Sequence, residues 1–136
     1  MIKKTKKKFK FIVEKTRTGF SAYGDILPVF TAGKTLIELN ANILEATNFC
    51  LEEDEIEVGS SNILLEFDLK QFFEYYRVIN AKFLAERIGM NETLLSQYVK
   101  GRKKPSRNQV ERILKGINEI GIELSELSLV IRDPEK

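Results

Sequence analysis

The first part of the chain alternates apolar and polar positions, a pattern typical of β-strands. Phe9, Phe11 and Val13 lie on one side of residues 8–14, and this period of two predicts a half-buried strand. A turn at residues 16–19 leads to a second strand at 20–23, which completes a hairpin. Pro28 has no N–H to donate, so it predicts the edge of a third strand at 29–32.

A helical spacing follows the three strands. Thr35 and Glu38 have the spacing of a capping box. Apolar residues then recur at three- and four-residue steps, as on one face of an amphipathic helix: Leu36, Leu39, Ile43, Ala46 and Cys50. Cys50 is therefore predicted to be a small core residue rather than a reactive thiol. A turn at 59–62 and a fourth strand at 63–67 complete a strand-strand-strand-helix-strand order, which predicts an α+β fold with one helix on a small antiparallel sheet.

Residues 68–136 have the pattern of an all-α domain of four to five helices. Asp68 with Gln71, and Ser106 with Gln109, have the spacing of capping boxes, and Asn80 and Asn91 are predicted N-caps. Glycines are predicted to end three of the helices: Gly89, Gly101 and Gly121. The inward stripes are predicted to contain Leu69, Phe72, Phe73 and Tyr76; Ala81, Leu84, Ala85 and Ile88; Leu95, Tyr98 and Val99; and Val110, Ile113, Leu114 and Ile117. The predicted domains are residues 1–67 and 68–136.

The charges are segregated along the chain. Residues 1–17 carry eight Lys or Arg against Glu14 alone, whereas residues 18–68 carry ten acids against Lys34 alone. Five basic residues then fall between Lys100 and Arg107. Such segregation favours different partners for different segments, although each run is also compatible with an ordinary solvated face.

Composition argues against several classes of protein. The chain has no histidine, which removes Ser-His-Asp and Cys-His nucleophile pairs and the common zinc sites, so we expect no enzyme activity, no metal and no cofactor. A single cysteine excludes an internal disulfide. No apolar run approaches about eighteen residues, and no apolar stretch follows the first lysines. The expected location is therefore the cytoplasm, without a membrane span.

The first half of the chain resembles the HicB antitoxins. The resemblance rests on residues 11–15, 18–23, 27–28 and 33–35, on the helix with Glu38, Asn42 and Ile43, and on the strand that ends at Asp68. It implies an antitoxin domain that binds and covers a small ribonuclease toxin of HicA type. The acidic segment at 52–57 would suit a basic toxin.

Residues 69–127 resemble the lambda-repressor/Cro (XRE) family. The match lies in residues 84–91, in 94–106 and in the helix that follows, and two short helices around a glycine turn are the geometry of a helix-turn-helix. The outward face of the third helix is predicted to be polar, with Leu94 at its border, as entry into a major groove requires. The resemblance implies that Glu92, Thr93 and Gln97 read bases, and that Arg102, Lys103, Lys104 and Arg107 contact phosphates. Ser96 and Lys100 belong to the same predicted outward face, so Ser96 is predicted to read bases as well and Lys100 to contact a phosphate.

The sequence is compatible with three functions. The leading hypothesis is the antitoxin of a type II toxin–antitoxin system that neutralises a ribonuclease toxin and represses its own operon on double-stranded operator DNA. The alternative is a stand-alone XRE-type regulator whose N-terminal domain mediates oligomerisation. A third is RNA binding by stacking on Phe9, Phe11 and Phe20, if these are exposed. A homodimer or higher oligomer is expected in either DNA-binding case, and an apolar strip of Leu127, Leu129, Val130 and Ile131 is compatible with core or dimer contact.

Overall fold

A computed structural model describes residues 1–131 of the chain, with side chains over residues 1–127. It has a mixed α+β architecture in two compact units, Met1–Tyr75 and a second that begins at Tyr76. This division falls later than the predicted boundary after residue 67, because the helix that follows the last strand is grouped with the first unit. Among the described residues, no helix is both long enough and apolar enough to cross a membrane.

The first unit contains a four-stranded sheet with the order β4-β3-β2-β6. Its strands are β2 (Phe9–Lys15), β3 (Phe20–Gly24), β4 (Phe30–Gly33) and β6 (Ile63–Phe67). The prediction of a purely antiparallel sheet is wrong, because β6 pairs with β2 in parallel while the other two pairings are antiparallel. A helix connects β4 to β6, and such a crossover returns the chain in the same direction.

Helix α1 (Leu36–Cys50) covers one face of this sheet. It begins as predicted, with Thr35 Oγ1 accepting a hydrogen bond from Glu38 N at 3.1 Å. The face that it covers is the apolar side of the central strands, as the alternation predicted, and the buried core contains Phe9, Phe11, Val13, Ala22, Val29, Leu39, Ile43, Leu51 and Val58. One member of the predicted helical stripe, Leu36, is exposed instead of buried. Ala46 and Cys50 are half-buried and pack against the core.

The basic N-terminus adds a pairing that the sequence did not predict. Strand β1 (Lys3–Lys4) runs parallel to β5 (Ile56–Glu57) in a separate two-stranded sheet. The buried Asn62 amide holds the next stretch, donating to Thr5 O and Lys7 O at 2.9 Å each. One buried amide therefore fixes the path of the basic segment along the edge of the first unit.

Helix α2 (Leu69–Tyr75) is tied to strand β2 by side-chain hydrogen bonds. Asp68 caps it as predicted, with Oδ1 accepting from Gln71 N at 3.0 Å. The Gln71 side chain accepts from Lys15 N and donates to Lys15 O, both at 2.8 Å, so it completes the hydrogen bonding of the end of β2 as a neighbouring strand would. These bonds explain why α2 belongs to the first unit.

The second unit is helical, with α3 (Ala81–Ile88), α4 (Glu92–Val99) and α5 (Arg107–Ile131). Its buried side chains include Leu84, Ala85, Leu95, Tyr98 and Ile113, which belong to the predicted stripes, and also Met90, which belongs to none of them. Gly121 does not end a helix as predicted, because α5 continues through it. A glycine inside a helix costs about 1 kcal/mol relative to alanine, which does not by itself end the helix. In the apolar strip near the end, Leu127 is exposed, while the side chains of the other three members lie outside the described residues.

Candidate nucleic-acid interface

A tight turn joins α3 to α4. Asn80 caps the start of α3, and Gly89 ends it with φ 71°, in the left-handed region that the sequence predicted. Met90 N then donates to Ala85 O at 2.9 Å, and the Met90 side chain is buried in the second unit. Asn91 is the N-cap of α4, and its Oδ1 accepts a hydrogen bond from Leu94 N at 3.0 Å. Gly89 and Asn91, which the sequence predicted to end α3 and to cap α4, therefore lie at the two ends of the turn.

Helix α4 presents a polar face and buries an apolar one. Leu95 and Tyr98 are buried against the second unit, and Leu94 and Val99 are half-buried. The predicted base-reading residues lie on the other side: Glu92, Thr93 and Gln97 are exposed and Ser96 is half-buried. Thr93 lies three and four residues before Ser96 and Gln97, and Lys100 lies four and three residues after them, so the four side chains share one face. This face has donors and acceptors of the kind that read base edges.

The basic residues follow the end of α4. Gly101 adopts φ 74°, and the N–H groups of Arg102 and Lys103 both donate to Gln97 O, at 2.9 and 3.3 Å. These bonds fold the basic turn back onto the last turn of the helix, and its side chains are exposed: Lys100, Arg102, Lys103, Lys104 and Arg107. The structure therefore brings the predicted phosphate-contacting residues next to the predicted reading helix in the fold.

Helix α5 starts directly after this basic turn. Ser106 Oγ accepts from Gln109 N at 3.2 Å, as the capping box predicted. Arg107 Nε lies 3.5 Å from Glu111 Oε2, one turn further along the helix. Because both side chains are largely exposed, this ion pair is weak and leaves Arg107 available to another anion.

Sequence reasoning missed Arg112. Its guanidinium reaches from α5 to the α3–α4 turn, where Nη2 donates to Ile88 O at 2.8 Å and to Gly89 O at 3.2 Å. Nη1 donates to Gln109 Oε1 at 3.1 Å. A cation at the C-terminus of a helix satisfies its last carbonyls, so Arg112 supports the turn rather than adding to the basic surface. The feature of the sequence that indicated an interaction of Arg112 was its position three residues after Gln109, on the same side of the helix.

Two expectations about the first unit change with the structure. The acidic segment at 52–57 lies beside the basic strand β1, and the N-terminal ammonium contacts Glu55 Oε1 at 2.6 Å. Its field is therefore partly neutralised by the chain itself. The RNA-stacking hypothesis loses its basis, because Phe9 and Phe11 are buried and Phe20 packs against the same core.

No family model matches the chain, and the comparisons with curated proteins and with solved structures give no match either.

Proposed function

We propose that the protein binds double-stranded DNA in a sequence-specific manner through a helix-turn-helix formed by α3 and α4. The observation that carries this proposal is the combination of a left-handed Gly89 turn with an exposed, polar face on α4. An ordinary packing helix would need the turn but not the face, whereas a recognition helix needs both. The cluster of exposed basic residues immediately after α4 supports the same function.

The proposed roles follow from side-chain chemistry. Gln97 can form a bidentate pair with adenine, Glu92 can accept from the amino group of cytosine, and Thr93 and Ser96 can bond either kind of edge. Lys100, Arg102, Lys103, Lys104 and Arg107 would contact phosphates and set the register of the helix in the groove. Apart from those of Ser96 and Lys100, these are the roles that the XRE resemblance implies.

A two-fold arrangement would double the number of bases read. Helix α5 carries an apolar repeat at four- and three-residue steps: Ile113, Ile117, Ile120, Leu124 and Leu127. Ile113 is fully buried in the second unit, but Leu124 and Leu127 are 59% and 58% exposed. Burying Leu124 and Leu127 against another protomer would remove apolar area from water, so we include a homodimer through α5 in the proposal.

For the first unit, the HicB resemblance supports toxin binding, and the whole protein would then be an antitoxin that represses its own operon. The compact first unit, which has its own core, is compatible with a separate binding role. The alternative is a stand-alone XRE-type regulator in which this unit only mediates oligomerisation. Co-expression with the product of a small neighbouring reading frame separates these: an antitoxin restores growth, whereas a plain regulator does not.

Selection of DNA from a random pool by the full chain tests DNA binding. The proposal expects a defined motif, and two-fold symmetry in that motif if the protein pairs through α5. Gln97→Ala should lose preference at one position of the motif. Recovery of unselected sequence after repeated rounds would contradict specific DNA binding.

A further inference from the structure

The sheet of the first unit has a second face, opposite the one that α1 covers. Because side chains alternate along a strand, residues neighbouring the core positions Phe11, Val13 and Ala22 point to this second face. Ile12, Tyr23 and Phe30 pair directly across β2, β3 and β4, so they form one transverse row. Phe30 is 73% exposed and Tyr23 is 41% exposed, and Leu64 on β6 is 37% exposed. The face therefore presents an aromatic and aliphatic row to solvent.

Carboxylates surround this row. Glu66 pairs with Ile12 across β2 and β6, and Glu14 lies two residues further along β2 on the same face. The pKa of Tyr23 is raised by partial burial and then by the nearby charges of Glu14, Asp68, Asp25 and Glu66. Lys10 is a basic group on this face, 3.8 Å from Asp25 and 3.5 Å from Glu66. Four carboxylates against this lysine leave the face acidic.

We propose that this acidic, aromatic sheet face is the docking surface for a basic protein partner that contributes apolar side chains together with Lys or Arg. This sheet face consists of Ile12, Tyr23, Phe30 and Leu64 together with the four carboxylates. Charge complementarity selects the partner, since the same carboxylates would repel nucleic acid phosphates. The exposed aromatic row would supply the apolar centre that stable interfaces require. The inference rests on the proposed partner-binding role of the first unit and names its surface.

This surface is a better candidate than the acidic segment at 52–57. That segment already pairs with the chain's own basic strand β1. The sheet face has an apolar row, an excess of carboxylates and an edge strand, β4, that pairs only with β3 in the sheet. A partner strand could also add to that edge.

The test uses full-length, isotope-labelled protein and two short amphipathic helical peptides, one of leucine and lysine and the other of leucine and glutamate. We expect the leucine–lysine peptide to shift the NMR signals of Tyr23, Phe30 and Leu64, and the leucine–glutamate peptide to leave them unchanged. Phe30→Ser should lower the affinity for the leucine–lysine peptide about tenfold, and Glu66→Gln should lower it about threefold. Phe49→Ser and Glu45→Gln are matched controls, because both residues are exposed on α1, away from the sheet face.

Three results would overturn the inference: no shift at the sheet face, equal binding of both peptides, or equal loss of affinity in the controls. Self-association that Phe30→Ser abolishes would assign the face to a second copy and also overturn it. Each variant is checked for unchanged amide spectra, which separates lost docking from lost fold. Binding of DNA by the same variants should not change, so failure here is distinguishable from failure of the proposed DNA binding.

Discussion

Arg112 lies on α5 and Gly89 lies in the turn between α3 and α4, yet the Arg112 guanidinium donates a hydrogen bond to the Gly89 carbonyl at 3.2 Å. The same nitrogen also bonds Ile88 O at 2.8 Å. Gly89 provides the backbone conformation of the turn, and Arg112 satisfies the carbonyls that this conformation leaves at the end of α3. Arg112, on α5, therefore stabilises the turn that leads into α4.

Replacing Arg112 with alanine should lower the stability of the second unit by about 1 kcal/mol, because two carbonyls lose a charged donor and water replaces it only in part. Thermal unfolding followed by circular dichroism measures the effect. Lys115→Ala is the control, since Lys115 is also exposed on α5 but makes no such bond to the turn among the described residues. Equal melting temperatures for the two variants would remove Arg112 from the support of the turn.

Two glycines of α5 should respond in opposite directions to alanine. A Cβ at Gly116 would lie 2.3 Å from Ile88 Cγ2, whereas a Cβ at Gly121 would meet nothing within 4 Å. Gly121→Ala should raise the free energy of unfolding by about 1 kcal/mol through helix propensity. Gly116→Ala should lower it by about 1–3 kcal/mol through overpacking against α3. Denaturant unfolding checks both, and a gain at Gly116 would mean that α3 and α5 pack less closely than described.

Gln97→Ala should weaken binding to the selected DNA motif by about 1–3 kcal/mol and leave random DNA nearly unaffected. The reason is that an amide that pairs with a base edge contributes only where that base is present. Fluorescence anisotropy on both DNAs measures the difference. A similar loss on motif and random DNA would assign Gln97 to backbone contact instead of base reading.

The phenol of Tyr23 gives the first unit a predicted response to alkali. Its pKa is raised from 10.0, so the unfolded chain loses this proton at a lower pH than the folded chain does. The contribution of Tyr23 to the free energy of unfolding is therefore fully present below about pH 10 and is lost as pH rises through the pKa of the folded state. Glu66→Gln should lower the Tyr23 pKa, because it removes one of the neighbouring negative charges. A ¹³C NMR titration of the tyrosine ring, assigned with Tyr23→Phe, would refute this if the pKa stayed the same or rose.

Local patterns predicted most of the elements, because caps and periodicity depend on residues close in sequence. Thr35, Asp68, Asn80, Asn91 and Ser106 all accept the cap hydrogen bonds that their spacing predicted. The exposed face of α4 was predicted for the same reason, since it is what remains after the apolar stripe is assigned.

The features that sequence reasoning missed depend on contacts between residues far apart. The parallel pairing of β6 with β2, the Gln71 bonds to Lys15 and the reach of Arg112 to Gly89 each join segments that no local pattern connects. Gly121 was misread because a glycine ends a helix only where the backbone turns left-handed, and here α5 continues through it. The sheet face could not be recognised before the strand order placed Ile12, Tyr23 and Phe30 in one row.

The salt dependence of DNA affinity tests the central claim most directly. If the basic turn after α4 contacts phosphates, log affinity against log salt has a slope of about −0.9 per contact, because each contact releases condensed counterions. Single alanine variants of Arg102, Lys103, Lys104 and Arg107 should each flatten the slope by roughly one unit without lowering the melting temperature. Lys82→Ala, on the exposed side of α3, should leave the slope unchanged. An unchanged slope in all four variants, or the same flattening in the Lys82 control, would contradict a DNA interface at α4 and its basic turn.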